Sequence, residues 1–293
     1  GIAILYDIDS DLINRIENTG KSGDFNNFDL AVEFPYHYKK AVAGIHALFR
    51  EAGFTCRVID TRNLATQLDG LEVIYVPQGF MLTDQVIGIL EGFAAAGGRI
   101  IAEEGLTLRD NATWVRPQWP SPAIQKMFGT RITSRAKVSF RPENIKTDDA
   151  IIPASEYVSY LETKNGAETI GVWDSGNPAI VKNGNCYFIA TSLGAAFHDN
   201  YEPSKDFLNV LNLMLEDRPP TAPCNLPEGV YKRILKRGDE SMLFLFNTTW
   251  TEQTVCLPSA NNTYSVLFGG TTVKDREITL PPRAVQVLLF EEK

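Results

Sequence analysis

The sequence predicts an α/β protein in which a domain with a parallel sheet is followed by a small antiparallel β-sandwich. Two patterns lead to this fold class. Short apolar runs alternate with segments of helical periodicity in the first part of the chain, and short strands separated by turn residues fill its last quarter. Strands that alternate with helices of ordinary length form parallel sheets covered on both faces. The 293 residues are enough for two hydrophobic cores.

The first domain is predicted to open with a strand and a helix. Ile2–Tyr6 is an apolar strand that runs into a polar loop containing Asp7, Asp9 and Asp11. That loop lacks the glycine and the terminal glutamate of a calcium loop, so we expect no metal there. Apolar residues at helical spacing predict the first helix over 34–52.

Further strands are predicted at 55–59, 73–76 and 99–102. A helix separates the last two, and Thr83 is suited to cap it because a threonine hydroxyl accepts a hydrogen bond from the first turn. Shorter strands are expected within 134–190. The first domain is therefore predicted to change from strand–helix alternation to consecutive strands.

A proline-rich segment at 219–223 divides the chain after a last predicted helix at 205–215. We therefore predict one domain at 1–218 and a second at 224–293. Six short strands are predicted in the second domain, at 230–235, 242–247, 254–257, 264–268, 277–280 and 285–290. Consecutive short strands with turn residues between them predict a sandwich.

The composition argues against several classes of partner. The chain carries 28 Lys and Arg against 36 Asp and Glu, a net charge of −8, and its pI is about 5.1. A mildly acidic surface is not attracted to nucleic acid or anionic lipid, so we expect neither as a partner. No apolar run reaches the ~18 residues of a membrane helix. The four cysteines lack metal-ligand spacing and lie mostly in apolar strands, so we expect buried, inert thiols.

Motifs spread along the chain match, in the same order, the later domains of one known family. In the first domain they are Ala3-Ile-Leu-Tyr-Asp7, Tyr36-His-Tyr38, Val76-Pro77, Gly97-Gly98, Gly105, Arg109-Asp-Asn111 and Phe128-Gly129. In the second they are Gly229-Val-Tyr-Lys-Arg233, Phe244-Leu-Phe-Asn247, Gly269-Gly270 and 280–288. The chain thereby resembles family 42 glycoside hydrolases, the bacterial β-galactosidase-like enzymes. The resemblance implies a flavodoxin- or amidotransferase-like α/β domain, described as a trimerisation domain, and the C-terminal β-domain of that family.

The resemblance also bears on function. In family 42 the catalytic glutamates lie on a barrel that precedes these domains, and the acid/base follows an asparagine. This sequence has no Asn-Glu dipeptide and no such barrel. The resemblance therefore implies a non-catalytic scaffold or oligomerisation portion of a β-galactosidase-like glycoside hydrolase that acts on carbohydrate. It further implies a homo-oligomer, a trimer by analogy, with carbohydrate as a candidate partner and no cofactor.

Glu103 and Glu104 are the first candidate site residues. They follow a predicted parallel strand, at the end where α/β folds place ligand sites. Neighbouring residues on a strand point to opposite faces, so this pair cannot form the facing carboxylates of a glycosidase by itself. Loop capping or hydrogen bonding is the favoured interpretation of both side chains.

A stand-alone amidotransferase-like hydrolase is an alternative function. Such an enzyme needs a cysteine at a sharp strand-to-helix turn and a histidine base, and no cysteine here lies in a Gly-x-Cys-x-Gly sequence. His198 follows a predicted strand, where a base would lie, and we interpret it as a relic of the fold. His37 and His46 are expected on the helix surface or in packing.

The loop after Asp110 and Asn111 contains Trp114 and Trp119 on either side of an Arg-Pro pair. Exposed tryptophans stack on sugar rings, which leaves a carbohydrate-binding accessory protein as a further alternative. Packing of both rings on their own domain or on another subunit is the favoured interpretation.

Overall fold

The computed structural model describes residues 1–19, 37–164, 166–200, 205–216, 226–227, 229–237, 240–257, 263–274 and 276–291. The chain divides into two compact units. One unit comprises Gly1–Leu48 with Cys56–Glu216, and the other comprises Phe49–Thr55 with Asp217–Lys293. The linker predicted at 219–223 lies outside the described residues.

The first unit contains six α-helices and eleven strands among the described residues. The helices are α1 (Ile8–Thr19), α2 (His37–Glu51, whose last residues fall in the second unit), α3 (Asp84–Ala95), α4 (Pro122–Phe128), α5 (Leu193–Asn200) and α6 (Lys205–Leu215). The strands are β1 (Ile2–Tyr6), β2 (Cys56–Asp60), β3 (Val73–Val76), β4 (Arg99–Glu103), β5 (Thr130–Lys137), β6 (Asn144–Lys146), β7 (Ile151–Pro153), β8 (Tyr157–Thr163), β9 (Glu168–Trp173), β10 (Pro178–Asn183) and β11 (Cys186–Ile189).

Nine of these strands form one mixed sheet, in the order β2-β1-β3-β4-β11-β10-β9-β6-β7. The strands from β2 to β11 in this order pair in parallel, and the remaining ones pair antiparallel. The predicted parallel sheet is therefore correct for only part of the sheet. The reason is local: the turns between β9, β10 and β11 are too short for a helical crossover, and short turns force antiparallel pairing. Strands β5 and β8 pair separately as a two-stranded antiparallel sheet.

The centre of the sheet is buried on both faces. Strands β3, β4 and β11 are buried along their whole length, as expected for parallel strands covered by helices on each side. Their carboxyl ends meet at one edge of the sheet. The polar residues that follow those ends form the region described below as the candidate site.

Helices α1, α4 and α5 were absent from the sequence prediction of the first unit. The predicted polar loop from Asp7 to Asp11 is wrong, because α1 begins at Ile8. The Asp7 carboxylate accepts hydrogen bonds from the backbone N–H and the hydroxyl of Ser10, and acids in the first turn of a helix are favoured by its dipole. Helix α5 was not predicted, because its buried Gly-Ala-Ala residues give no amphipathic pattern.

The second unit contains two antiparallel sheets that share one core. Its strands are β12 (Val230–Arg237), β13 (Glu240–Asn247), β14 (Gln253–Cys256), β15 (Thr263–Phe268), β16 (Glu277–Leu280) and β17 (Val285–Glu291). One sheet has the order β12-β13-β17-β15, and the other pairs β14 with β16. Buried residues from both sheets, such as Leu245, Val255, Leu280 and Leu288, form a single apolar cluster. The six strands correspond to the six predicted from turn spacing.

No helix in the described part of the chain has the length and apolar character needed to cross a bilayer.

Helices α2 and α5 touch backbone to backbone. A side-chain carbon added at Gly44 would lie 2.7 Å from the carbonyl carbon of Gly194 and even closer to its oxygen. A carbon added at Gly194 would meet the backbone of Ala41 in the same way. Both glycines are required by this close approach rather than by their backbone angles. The contact fixes the distance between two helices that are far apart in sequence.

We expect Gly44→Ala to lower the free energy of unfolding by about 3 kcal/mol, because the added methyl group forces the two helices apart. Gly88→Ala is the matched control. Gly88 lies in α3 with nothing within 4 Å of an added carbon, so the change should stabilise the protein by about 1 kcal/mol. Urea unfolding of the three proteins measures both effects. Equal stability of Gly44→Ala and the parent protein would contradict the close packing.

Candidate functional site

Glu103 lies at the carboxyl end of β4 and is fully buried. Its carboxylate accepts hydrogen bonds from the Tyr75 hydroxyl at 2.8 Å, the Ser192 hydroxyl at 2.7 Å and the Gly194 N–H at 2.8 Å. Burial raises the pKa of Glu103 to about 7, while these hydrogen bonds and the nearby His37 oppose the rise. The carboxylate therefore ties the ends of β3 and β4 to the start of α5.

Glu104 is also buried, and it has different partners. Its Oε1 lies 2.5 Å from Nε of Arg135 on β5. The Arg135 guanidinium is centred 3.3 Å from the Tyr157 ring and 5.6 Å from the Trp119 ring. The guanidinium is thus held by one carboxylate and two aromatic rings, an arrangement that suits its planar, weakly hydrated cation.

The two glutamates do not form a catalytic pair. Glu103 binds groups on β3 and α5, whereas Glu104 binds a group on β5. A glycosidase needs two carboxyl groups that face the same sugar and are reached by water. Both carboxyl groups here are shielded from solvent and already engaged by protein groups.

His37, at the start of α2, contributes to the same region. It is buried, and its Nε2 lies 2.9 Å from the Glu156 carboxylate. The sequence prediction of a surface or packing histidine did not include this contact. The Tyr36-His-Tyr38 motif was the available signal, because Tyr38 is also buried and its hydroxyl oxygen accepts the N–H of Asp7 at 2.7 Å.

The first parallel strand, β1, is followed by a third buried carboxylate, Asp7. Besides the two groups of Ser10, it accepts a hydrogen bond from the Thr61 hydroxyl at 3.0 Å. Asp11, in the first turn of α1, accepts a hydrogen bond from the Tyr6 hydroxyl at 2.8 Å. These carboxylates are occupied by hydroxyl and amide donors. Within the described residues, no three His, Cys, Asp or Glu side chains come together as a metal ion would require.

The loop that carries Trp114 and Trp119 lies partly at the protein surface. Asp110 shapes it by accepting the N–H groups of Ala112 at 2.9 Å and Trp114 at 3.0 Å, and Asn111 is exposed. Trp114 is 74% exposed, so it does not pack on its own domain. Trp119 is half-buried beside Arg135. The two tryptophans therefore have different environments.

His198 lies in α5 and is partly exposed. Its Nδ1 is 3.6 Å from Asp199, which also pairs with Lys40 at 2.6 Å. Among the described cysteines, Cys186 is buried, and burial raises its thiol pKa to about 11. A thiol with so high a pKa is a poor nucleophile near neutral pH. The expectation that the cysteines are buried holds for Cys186 but not for Cys256, which is exposed because it faces outward on a strand of the small sheet.

Comparison with known proteins places this geometry in a family. The sequence profile described as the beta-galactosidase trimerisation domain matches residues 1–202. A β-galactosidase LacZ of Heyndrickxia coagulans is 24% identical over 252 residues, which are 81% of this chain and 36% of that protein.

Solved structures show the same fold. A GH42 β-galactosidase from G. stearothermophilus superposes with a TM-score of 0.74 and 20% identity, covering 99% of this chain and 40% of that one. A β-galactosidase from Bacillus circulans sp. alkalophilus gives a TM-score of 0.75 and 17% identity, covering 99% and 41%. The chain thus spans about two-fifths of the length of these relatives.

The burial of Glu103 predicts a pH-dependent stability. Because the folded-state pKa is raised from 4.5 to about 7, the folded protein keeps a proton that the unfolded chain loses between those values. The contribution of Glu103 to the free energy of unfolding therefore falls as pH rises through this interval, by on the order of 3 kcal/mol, and is constant above it. Glu103→Gln cannot ionise and should lack this fall.

Urea unfolding between pH 4.5 and 8 measures the difference between the parent protein and Glu103→Gln. Glu91→Gln, which changes an exposed glutamate on α3, is the control and should follow the parent. Parallel pH profiles for the parent and Glu103→Gln would show that folding does not raise the pKa of Glu103.

Proposed function

The chain belongs to the β-galactosidase trimerisation domain family, and on that basis we propose that it serves as a non-catalytic scaffold within a β-galactosidase-like glycoside hydrolase. The match over residues 1–202 is the observation that carries this proposal. The fold shared with two β-galactosidases over 99% of the chain supports it. In this role the first unit provides contacts between subunits, and the second supports it as a β-sandwich.

We propose that the first unit has an amidotransferase-like fold. We further propose that it does not catalyse an amidotransferase reaction. Its parallel strands, in the order β2-β1-β3-β4-β11, support the first part of this proposal. The second part is supported by Cys186, whose burial and raised thiol pKa do not suit a nucleophile. We also retain 1–218 and 224–293 as the proposed domains. A hydrolase that relies on His198 has less support, because that ring contacts an exposed aspartate already engaged by Lys40.

We expect this chain alone not to hydrolyse aryl-galactosides, because Glu103 and Glu104 are buried and held by separate partners. Release of nitrophenol from nitrophenyl β-galactoside measures the activity directly. Turnover that survives purification and disappears in Glu103→Gln or Glu104→Gln would overturn the scaffold role. Turnover unchanged in both variants would identify a contaminating enzyme.

Assembly is proposed to involve the loop that carries Trp114. An exposed indole next to the exposed Val115 is an apolar surface that another subunit can cover. An aromatic side chain buries a large area and loses the freedom of only a few rotatable bonds. Aromatic residues are therefore favoured at interfaces. Asp110 holds this part of the loop through two backbone hydrogen bonds, which limits the entropy lost on association.

We expect the chain to self-associate, with the trimer as the favoured state, and Trp114→Ala to weaken the association by about tenfold or more. Light scattering over a concentration series measures the oligomeric state. Trp250→Ala is the control, because Trp250 is equally exposed, at 80%, but lies in the second unit. A strict monomer at high concentration would contradict the assembly role. An oligomer that weakens with Trp250→Ala and not with Trp114→Ala would place the interface on the second unit.

A further inference from the structure

A cavity of about 480 Å³ lies in the first unit beside Trp119, and we refer to it as the Trp119 cavity. It is bounded by the loop residues 117–119, by one side chain of α4, by part of β5 and by the residue after β8. The side chains that determine its chemistry are Gln118, Trp119, Gln125, Arg131, Thr133 and Lys164. The volume lies in the range of about 300–1,000 Å³ typical of small-molecule sites.

Trp119 gives the cavity a fixed aromatic wall. The Arg135 guanidinium stands over the indole at 5.6 Å and is itself held by the buried Glu104. The indole is thus anchored from within the protein while its ring also borders the cavity. An immobilised ring with an apolar face suits a ligand that combines apolar C–H groups with polar edges.

Two polar side chains of the cavity are oriented by hydrogen bonds to the protein. The Gln125 amide nitrogen donates to the carbonyl of Pro120 at 2.8 Å, which leaves its oxygen as an acceptor. The Thr133 hydroxyl donates to the carbonyl of Tyr160 at 3.0 Å, which leaves its lone pairs as acceptors. Both groups can therefore accept hydrogen bonds from ligand hydroxyls without rearranging.

The charges of the lining are positive. Arg131 contacts a single oxygen of Glu162 through Nε at 2.8 Å and Nη2 at 2.5 Å. Lys164 makes no ion pair with any residue that the structure describes, and no acidic side chain lines the cavity. Among the described residues the ammonium group of Lys164 therefore has no carboxylate partner, and it favours a ligand that carries an anionic group.

We propose that the Trp119 cavity binds an acidic saccharide, a pyranose that carries a carboxylate such as a uronate. The C–H face of the sugar stacks on Trp119, its hydroxyls donate to Gln125 and Thr133, and its carboxylate pairs with Lys164. These four side chains thus match the three chemical parts of the ligand. This site is independent of the scaffold role, because a scaffold without any sugar site would still assemble.

The test uses D-galacturonate and D-galactose as probes of the intact chain. Saturation-transfer NMR detects contact, and titration calorimetry gives the affinities. We expect galacturonate to bind at least tenfold more tightly than galactose at low salt, since the charged hydrogen bond is present only with the acid. Lys164→Gln should remove this preference. Trp119→Phe should weaken the binding of galacturonate by about threefold, because a smaller ring stacks less surface.

Matched controls keep the outcomes distinct. Lys126→Gln changes an exposed lysine on the neighbouring helix α4, and Trp114→Phe changes a tryptophan that does not line the cavity; neither should alter the affinity for galacturonate. Absence of saturation transfer to galacturonate at about 10 mM, well above the Kd of a functional sugar site, overturns the proposal. Inorganic phosphate that displaces galacturonate in the parent, with affinities unchanged by Trp119→Phe, would instead identify a simple anion site.

Discussion

The carboxylate of Glu103 is the interaction on which the arrangement of the first unit depends. It stands at the end of a central strand and receives a hydroxyl hydrogen from β3, another from the residue before α5, and a backbone N–H from the first turn of α5. A buried carboxyl group with fewer donors would cost several kcal/mol, so its position requires all three. Once α5 is held there, Gly194 meets Gly44, and the spacing between α5 and α2 follows.

Ligand sites in open α/β sheets commonly lie beyond the carboxyl ends of the strands. In this protein the polar residues at that edge bind other groups of the protein. Asp7 binds hydroxyls, Glu103 binds the start of a helix, and Glu104 binds a guanidinium stacked on two rings. The edge that binds ligands in other α/β proteins therefore carries hydrogen bonds and ion pairs within this protein. The accessible groups lie instead in the loop of Trp114 and in the Trp119 cavity.

The sequence predicted the elements whose pattern is local. Alternation and turn residues located all six strands of the sandwich, and apolar runs located the central parallel strands, because burial on one or both faces leaves a direct trace in residue order. Helix α5 left no such trace, since small residues buried all round carry no periodicity. The loop predicted from Asp7 to Asp11 was wrong because acids that begin a helix resemble acids in a loop.

The candidate site could be predicted only in part for a related reason. The sequence predicted that Glu103 and Glu104 lie at the end of a strand, but it did not predict which groups they bind. Arg135 follows Glu104 by a helix and a long loop, and Ser192 lies in a different part of the chain from Glu103. The topology of the fold brings such pairs together, and the order of residues in the sequence does not by itself specify that topology. The contact of His37 could not be predicted for the same reason, since its partner, Glu156, lies on a distant part of the chain.

The order of strands in the large sheet bears on how the chain acquires its structure during synthesis. Strand β4 pairs with β11, yet the whole segment from 104 to 185 lies between them. While the ribosome makes that segment, one edge of β4 is without its final neighbour, and its apolar residues must be shielded in another way. Parallel pairing over such separations is intrinsically slow and favours aggregation. That edge of β4 therefore remains open to pairing with other chains until β11 has emerged.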